Sequence, residues 1–193
     1  MIKYENRILK GFVTLENGNR PKGGVGQIKE GIPSIGGEHL NYHGGFNFKN
    51  LKFIPKKFYN QMNRGKIKTN DILIVKDGAT TGKVSFVEEE FPYKEASVNE
   101  HVFIIRVNEE RAISKYLFYF LFSKLGQSQI LKNFHGSAIG GINSKFVNFI
   151  KVPLPPLDIQ KKIVLILERS DKLKRKRKKL NIKTDKIIQS IFH

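Results

Sequence analysis

Cysteine is missing from this 193-residue chain altogether. Its absence removes zinc-finger ligand sets, thiolate nucleophiles and disulfide frameworks at one stroke. Long apolar runs are missing too: a stretch such as Ile163 to Leu167 falls far short of the ~20 residues a membrane span needs. The first thirteen residues, MIKYENRILKGFV, are too charged for a secretory signal, so a cytoplasmic location is expected. Acidic residues are scarce, with 17 Asp and Glu against 35 Lys and Arg and a formal charge of +18. An imbalance of that size suits a polyanion, nucleic acid first, although a basic surface can also serve solubility alone. The excess is spread along the chain: Met1 to Leu157 carries 23 basic and 13 acidic residues, and Asp158 to His193 carries 12 and 4.

Catalytic signatures are equally thin. Asp77 to Lys83, DGATTGK, has the look of a phosphate loop, but Gly78 and Gly82 stand too close together and Val84 replaces the hydroxyl that would hold magnesium. It reads as a turn between strands. Gly24 and Gly26 lack the third glycine and the flanking elements of a dinucleotide fingerprint. His39 and His43 have no Glu between them, and Gly44-Gly45 argues against a helix there, so no metal site is expected. Neither the aromatic catalytic tetrapeptide nor the glycine-rich cofactor motif of an amino-methyltransferase is present. The expectation is a non-catalytic chain without a cofactor.

What is present divides at Val152-Pro153-Leu154-Pro155-Pro156-Leu157-Asp158, since three prolines in four positions stop any helix or strand. Three parts follow: a globular portion over 1–152, a proline-rich boundary over 153–157, and a helix over 158–193, with Asp158 placed to cap it. No Gly or Pro interrupts those last 36 residues. Ile159, Ile163, Ile166, Leu173, Leu180, Ile187 and Ile191 fall on an alternating four-and-three spacing, a coiled-coil seam suited to dimerisation. One seam position is aliphatic throughout; the other becomes polar in its middle, at Ser170, Arg177 and Thr184. The run Lys172 to Lys179, KLKRKRKK, either faces an anionic partner or is a solvated face.

The globular portion reads as α+β: a small sheet and packed helices, followed by the long coiled-coil-forming helix. Short β-branched runs at 72–75, 83–87 and 102–107 are strands. Ser114 to Leu125 is a buried helix stopping at Gly126. Phe146 to Pro153 alternates as a final strand. Asn17 to Gly45 holds over half of the seventeen glycines and reads as loop.

At the boundary, Ile150 to Gln160 (IKVPLPPLDIQ), followed by the basic helix and Gln189-Ser190-Ile191-Phe192, closely resembles the conserved region of type I restriction-modification specificity subunits. Gly18 to Lys22, Gly31 to Ile35, Asp71 to Ile74 with Gly78 and Gly82, Tyr116-Leu117 and Gly136 to Ile142 also recur, in that order, in the family's target recognition domains. The resemblance implies a DNA-binding protein that sets sequence specificity for a methyltransferase subunit and, through it, a restriction subunit. It also places Pro155, Pro156, Leu157 and Gln160 against the methyltransferase. The family's usual subunit holds two recognition domains and two long helices. This chain has one of each, so it looks like a half subunit or a fragment cut as one, expected to pair as a homodimer on a bipartite site.

Candidate double-stranded-DNA contacts are polar side chains on glycine-flanked loops: Arg20 and Lys22; Thr80, Thr81 and Lys83; His135, Ser137, Asn143 and Lys145. Arg and Lys suit guanine or phosphate, and Asn suits adenine edges. Tyr42, Phe46 and Phe48 either stack on DNA or anchor their loop to the core. Two other classes stay open: a basic protein-interaction adaptor, and the recognition module of another kind of restriction or modification enzyme.

Overall fold

A computed structural model describes residues 4–25, 28–136 and 140–192. In chain order the elements are β1 (Asn6–Ile8), β2 (Val13–Asn17), β3 (Ile32–Ile35), β4 (Lys52–Ile54), α1 (Lys56–Gln61), β5 (Ile72–Val75), β6 (Val84–Phe86), β7 (Ser97–Val98), β8 (Val102–Val107), α2 (Ser114–Phe122), α3 (Lys124–Leu131), β9 (Phe134–His135), β10 (Gly141–Ile142), β11 (Lys151–Pro153) and α4 (Leu157–Phe192).

Four strands in the order β2-β8-β5-β6 form an antiparallel sheet buried on both faces. Because side chains alternate across a strand, Ile72, Ile74, Phe103 and Ile105 enter a core shared with α2 and α3. Leu73, Val75, Val102 and Ile104 enter a second core on the other face. That second face is covered by a three-stranded sheet, β4-β3-β7, in which β3 and β7 run parallel. Double burial is why these strands read as unbroken apolar runs rather than alternating ones. β1 pairs with β11, which brings the start of the described chain against the proline boundary.

The fold is α+β with a long terminal helix, as expected, and several local boundaries differ. The 114–125 helix ends at Phe122, and Ser123 caps a separate α3, its hydroxyl accepting from the Gly126 amide at 3.2 Å. Gly126 is therefore inside a helix, where a Cβ would overlap the Phe120 carbonyl. The expected strand over 146–153 shortens to Lys151–Pro153, because Asn143 caps a 3-10 turn over Ser144–Asn148. The glycine-rich stretch contains β3, with every residue buried.

α4 begins at Leu157, one residue before the expected cap. The Pro156 carbonyl takes the amides of Ile159 and Gln160, and Asp158 lies in the first turn, where a negative charge favours the helix N-terminus. Gln160 is wholly buried. Its carboxamide oxygen accepts from the Ile113 amide at 2.9 Å, and its nitrogen donates to the Pro155 carbonyl at 2.8 Å. Tyr116 donates to the Pro153 carbonyl at 2.7 Å. Together these bonds fix the direction in which α4 leaves the globular portion. Past its first turns α4 is exposed, including Ile166, Leu173, Leu180, Ile187 and Ile191. No helix of the described residues is long and apolar enough to cross a membrane.

Candidate nucleic-acid interface

One edge of the four-stranded sheet gathers segments that lie far apart in sequence. The 17–20 loop leaves β2 and is stitched to the start of β8 by Gly18 N to Val102 O at 3.1 Å and to the end of β7 by Asn19 N to Val98 O at 3.2 Å. A Cβ on Gly18 would overlap the Asn99 carbonyl, so only glycine permits this approach. The 76–83 turn leaves β5; Lys76 N donates to His101 O at 2.9 Å. The 140–142 segment joins the same turn through Ile142 N to Lys76 O at 2.6 Å and Gly78 N to Gly140 O at 3.2 Å. His135 is carried to this place by the β9–β10 pairing, opposite Gly141.

The edge is polar and mixed in charge, with Arg20, Arg64 and Lys76 beside Asp77 and Glu100. A groove of about 510 Å³ is lined by Leu15, Asn17, Arg64, Lys76, Asp77, Phe103, Ile142, Asn143 and Ser144. Arg20 is exposed and paired with Glu100 at 2.8 Å. His101 lies between Asp77, at 2.5 Å from Nδ1, and Glu100, at 3.5 Å from Nε2. The Lys76 ammonium sits 3.4 Å from the Asn17 amide oxygen and 3.8 Å from Asp77. Sequence reasoning missed Arg64, Lys76, Glu100 and His101. The polar triplet Asn99-Glu100-His101 directly before an apolar strand was the available signal.

Of the residues picked from sequence, the structure brings Arg20, His135 and Asn143 to this edge. Asn143 also accepts from Lys145 N at 2.9 Å, so its side-chain oxygen already caps a turn. Lys145 and Lys22 are exposed, and no ion pair among the described residues engages them. Ser137 lies outside the described residues.

Thr80, Thr81 and Lys83 belong to the same 76–83 turn but point elsewhere. Gly78 and Gly82 adopt positive φ of 88° and 86°, which is why glycines bracket it. Thr81 donates to the Gly78 carbonyl at 2.7 Å, closing the turn on itself. Lys83 donates to the Leu40 carbonyl at 2.7 Å and the Gly37 carbonyl at 3.1 Å, and lies 4.8 Å from the centre of the Tyr42 ring. Burial pushes the Lys83 amine below its ordinary value, with Glu38 opposing. It is a structural lysine here. Phe46 and Phe48 stack on one another and pack edge-on against Phe91, so they anchor their loop, while Tyr42 is 71% exposed.

Behind the edge a charged cluster holds the sheet. Arg106 on β8 donates to Asp71 at 2.7 and 3.0 Å, pairs with Glu16 on β2, and donates to the Lys66 carbonyl. Asp71 and Glu16 also accept the Lys68 and Gly65 amides, both at 2.8 Å. Every charge there is paired, as burial demands. Among the described residues no group of three or more His, Asp or Glu could hold a metal ion.

The family model described as the type I restriction modification DNA specificity domain matches residues 1–184. The chain belongs to that family. Within it, the MjaVIII type I restriction enzyme specificity subunit of Methanocaldococcus jannaschii is 29% identical over 163 residues, covering 84% of this chain and 34% of that protein. Among solved structures, a chain of a type I R-M system studied for complex assembly and conformational transition matches all of this chain and 49% of its own length, with TM-score 0.66 and 18% identity. The type I S subunit of M. genitalium matches with TM-score 0.57 and 18% identity, over 89% of this chain and 40% of that one. HsdS of Thermoanaerobacter tengcongensis gives 0.55 and 18%, over 98% and 45%. At such identity these structures share the specificity-subunit fold. The chain spans about a third of the curated relative's length and less than half of each solved neighbour's.

Proposed function

We propose that this member of the specificity-domain family reads duplex DNA through the sheet edge that joins loops 17–20, 76–78 and 99–101 with the segments 134–136 and 140–143, and catalyses nothing itself. The observation that carries the reading is that backbone hydrogen bonds lock four separate loops into one polar border that holds Arg20, Arg64 and Lys76. Such a border offers both kinds of contact that DNA recognition needs: cations for phosphate position, and amide and imidazole groups for base edges. Within this reading residues 1–152 are the reading head, 153–157 the boundary, and 158–193 the helix through which a second copy supplies the other head. The pair would grip a bipartite, two-fold symmetric site and direct methyltransferase and restriction subunits to it.

Of the four residues assigned by resemblance to the methyltransferase contact, Gln160 is wholly buried and Pro155 is buried. Direct contact in that region therefore falls to Pro156 and Leu157, with Gln160 and Pro155 setting the helix direction behind them.

Fluorescence anisotropy on labelled random duplexes, followed by selection from a random pool with the methyltransferase present, tests the reading. Affinity for random duplex should fall by about a thousandfold or more between 50 and 200 mM salt if ~6–10 phosphates are met. An affinity indifferent to salt, or a pool that yields no enriched site, contradicts it.

A further inference from the structure

Seven of the eight residues from 172 to 179 are Lys or Arg, and all eight are exposed. None of the seven cations enters an ion pair among the described residues. The nearest acidic residues on the helix, Glu168 and Asp171, turn toward their own globular portion. Glu168 lies 3.8 Å from Lys115, and both line a groove on the globular portion together with Asp171 and Tyr119. Lys172 and Arg175 line that groove with Glu88, Glu90, Glu168 and Asp171, but no acidic residue stands among 172–179, so the helix carries a mostly uncompensated block of charge at the middle of its 36 residues.

The seam makes that position matter. In a two-fold antiparallel pair each seam position meets the other kind. Full overlap then sets Ile159 against Ile191, Ile163 against Ile187, Ile166 against Thr184, Ser170 against Leu180, and Leu173 against Arg177. Each polar seam residue faces an aliphatic one. Ile163 already packs partly on its own core, while Ile166, Leu173, Leu180, Ile187 and Ile191 are each at least half exposed. The two-fold axis of this pair falls at Arg175, inside the basic block. Sliding one helix by a heptad moves the axis only to 171–172 or 178–179, the ends of the block. A parallel, in-register pair also lays the block against itself.

We infer that the basic centre of α4 restrains the pairing of two copies, so that they join firmly only when the charge at their crossing is neutralised. This rests on the dimer reading above and adds its control. Two packed helices lie about 8–10 Å apart, and the block is ~12 Å long. The cations nearest the seam on one copy thus come within roughly one screening length of those on the other at 0.1 M salt, where that length is ~10 Å; at 1 M it is ~3 Å. Salt releases the restraint without harming the aliphatic layers. Pairing and DNA binding then respond to salt in opposite directions.

Sedimentation of the full chain at 0.1 and 1 M sodium chloride, beside a variant carrying Lys174→Gln, Arg175→Gln, Lys176→Gln and Lys178→Gln, tests this. Glutamine keeps helix propensity close to that of Lys and Arg, and circular dichroism checks it. The dimer dissociation constant of the parent chain should drop about tenfold or more with salt. The variant should pair at 0.1 M as tightly as the parent does at 1 M, with little response to salt. A parent dimer that ignores or is weakened by salt, or a variant with the parent's salt response, overturns the restraint and leaves the dimer standing. Two chains that stay monomeric in every condition overturn the dimer reading itself.

Discussion

Gly141 shows how narrowly the candidate interface is built at the level of one residue. A Cβ there would overlap the Lys76 carbonyl and come within 2.8 Å of the Asp77 Cβ, so β10 can hydrogen-bond the 76–78 turn only if position 141 has no side chain. Gly141→Ala should force the two segments apart and loosen the Ile142 to Lys76 bond. Crowding of that kind typically costs about 1–3 kcal/mol. The expected outcome is a lower melting temperature together with weaker duplex binding, read by thermal unfolding and anisotropy at fixed salt. Unchanged binding by a well-folded Gly141→Ala chain would mean that the 140–143 segment does not belong to the reading surface. Lys83 supplies the contrast: its ammonium is committed to two carbonyls, so its loss should register in stability more than in the salt dependence of binding.

The junction between α2 and α4 is where an element is aimed. Gln160 satisfies the Ile113 amide and the Pro155 carbonyl from a fully buried position, and Gln160→Ala strands both. Leaving buried polar groups unpaired costs about 1–3 kcal/mol, and the helix loses its fixed departure angle. Denaturant titration should show that loss, and Gln160→Glu should lose more at neutral pH, where a carboxylate is buried against the Pro155 carbonyl, than at acid pH, where the protonated carboxyl can donate to it. These elements were unequally legible. β5, β6 and β8 could be read because burial on both faces gave short unbroken β-branched runs. The long helix could be read because no Gly or Pro interrupts it and its apolar residues keep one spacing. The break at Ser123 was hidden, since a serine inside an apolar run looks like helix until its hydroxyl is seen capping the next one. β3 was hidden by the glycines around it. The reading edge was half legible: loops rich in Gly, Asn and basic residues could be named, but which of them meet depends on strand order. That order turned Arg20, His135 and Asn143 together and turned Lys83 inward. Lys76 gave no sign, because it reaches the edge only through sheet pairing, and the one signal for His101 was the polar triplet Asn99-Glu100-His101 before an apolar strand.

At the scale of the whole molecule, the globular portion and α4 act as a head on a rod. In the proposed antiparallel pair, the length of helix overlap fixes the distance between two heads, and therefore the number of base pairs between two half-sites. A heptad inserted within α4, after Lys179, keeps the seam aligned because the seam itself repeats every seven residues. It adds ~10.5 Å at 1.5 Å per residue, close to three base pairs at 3.4 Å each. The heads also move roughly a third of a turn around a duplex of about 10.5 base pairs per turn. Selection from a random pool should therefore return half-sites of unchanged sequence with a spacer lengthened by about three base pairs. On the parent site the lengthened chain should keep single-head binding and lose the avidity gained from two, about a hundredfold or more for linked sites. A spacer that does not move, in a variant shown to dimerise, would mean that something other than α4 sets the distance between the heads.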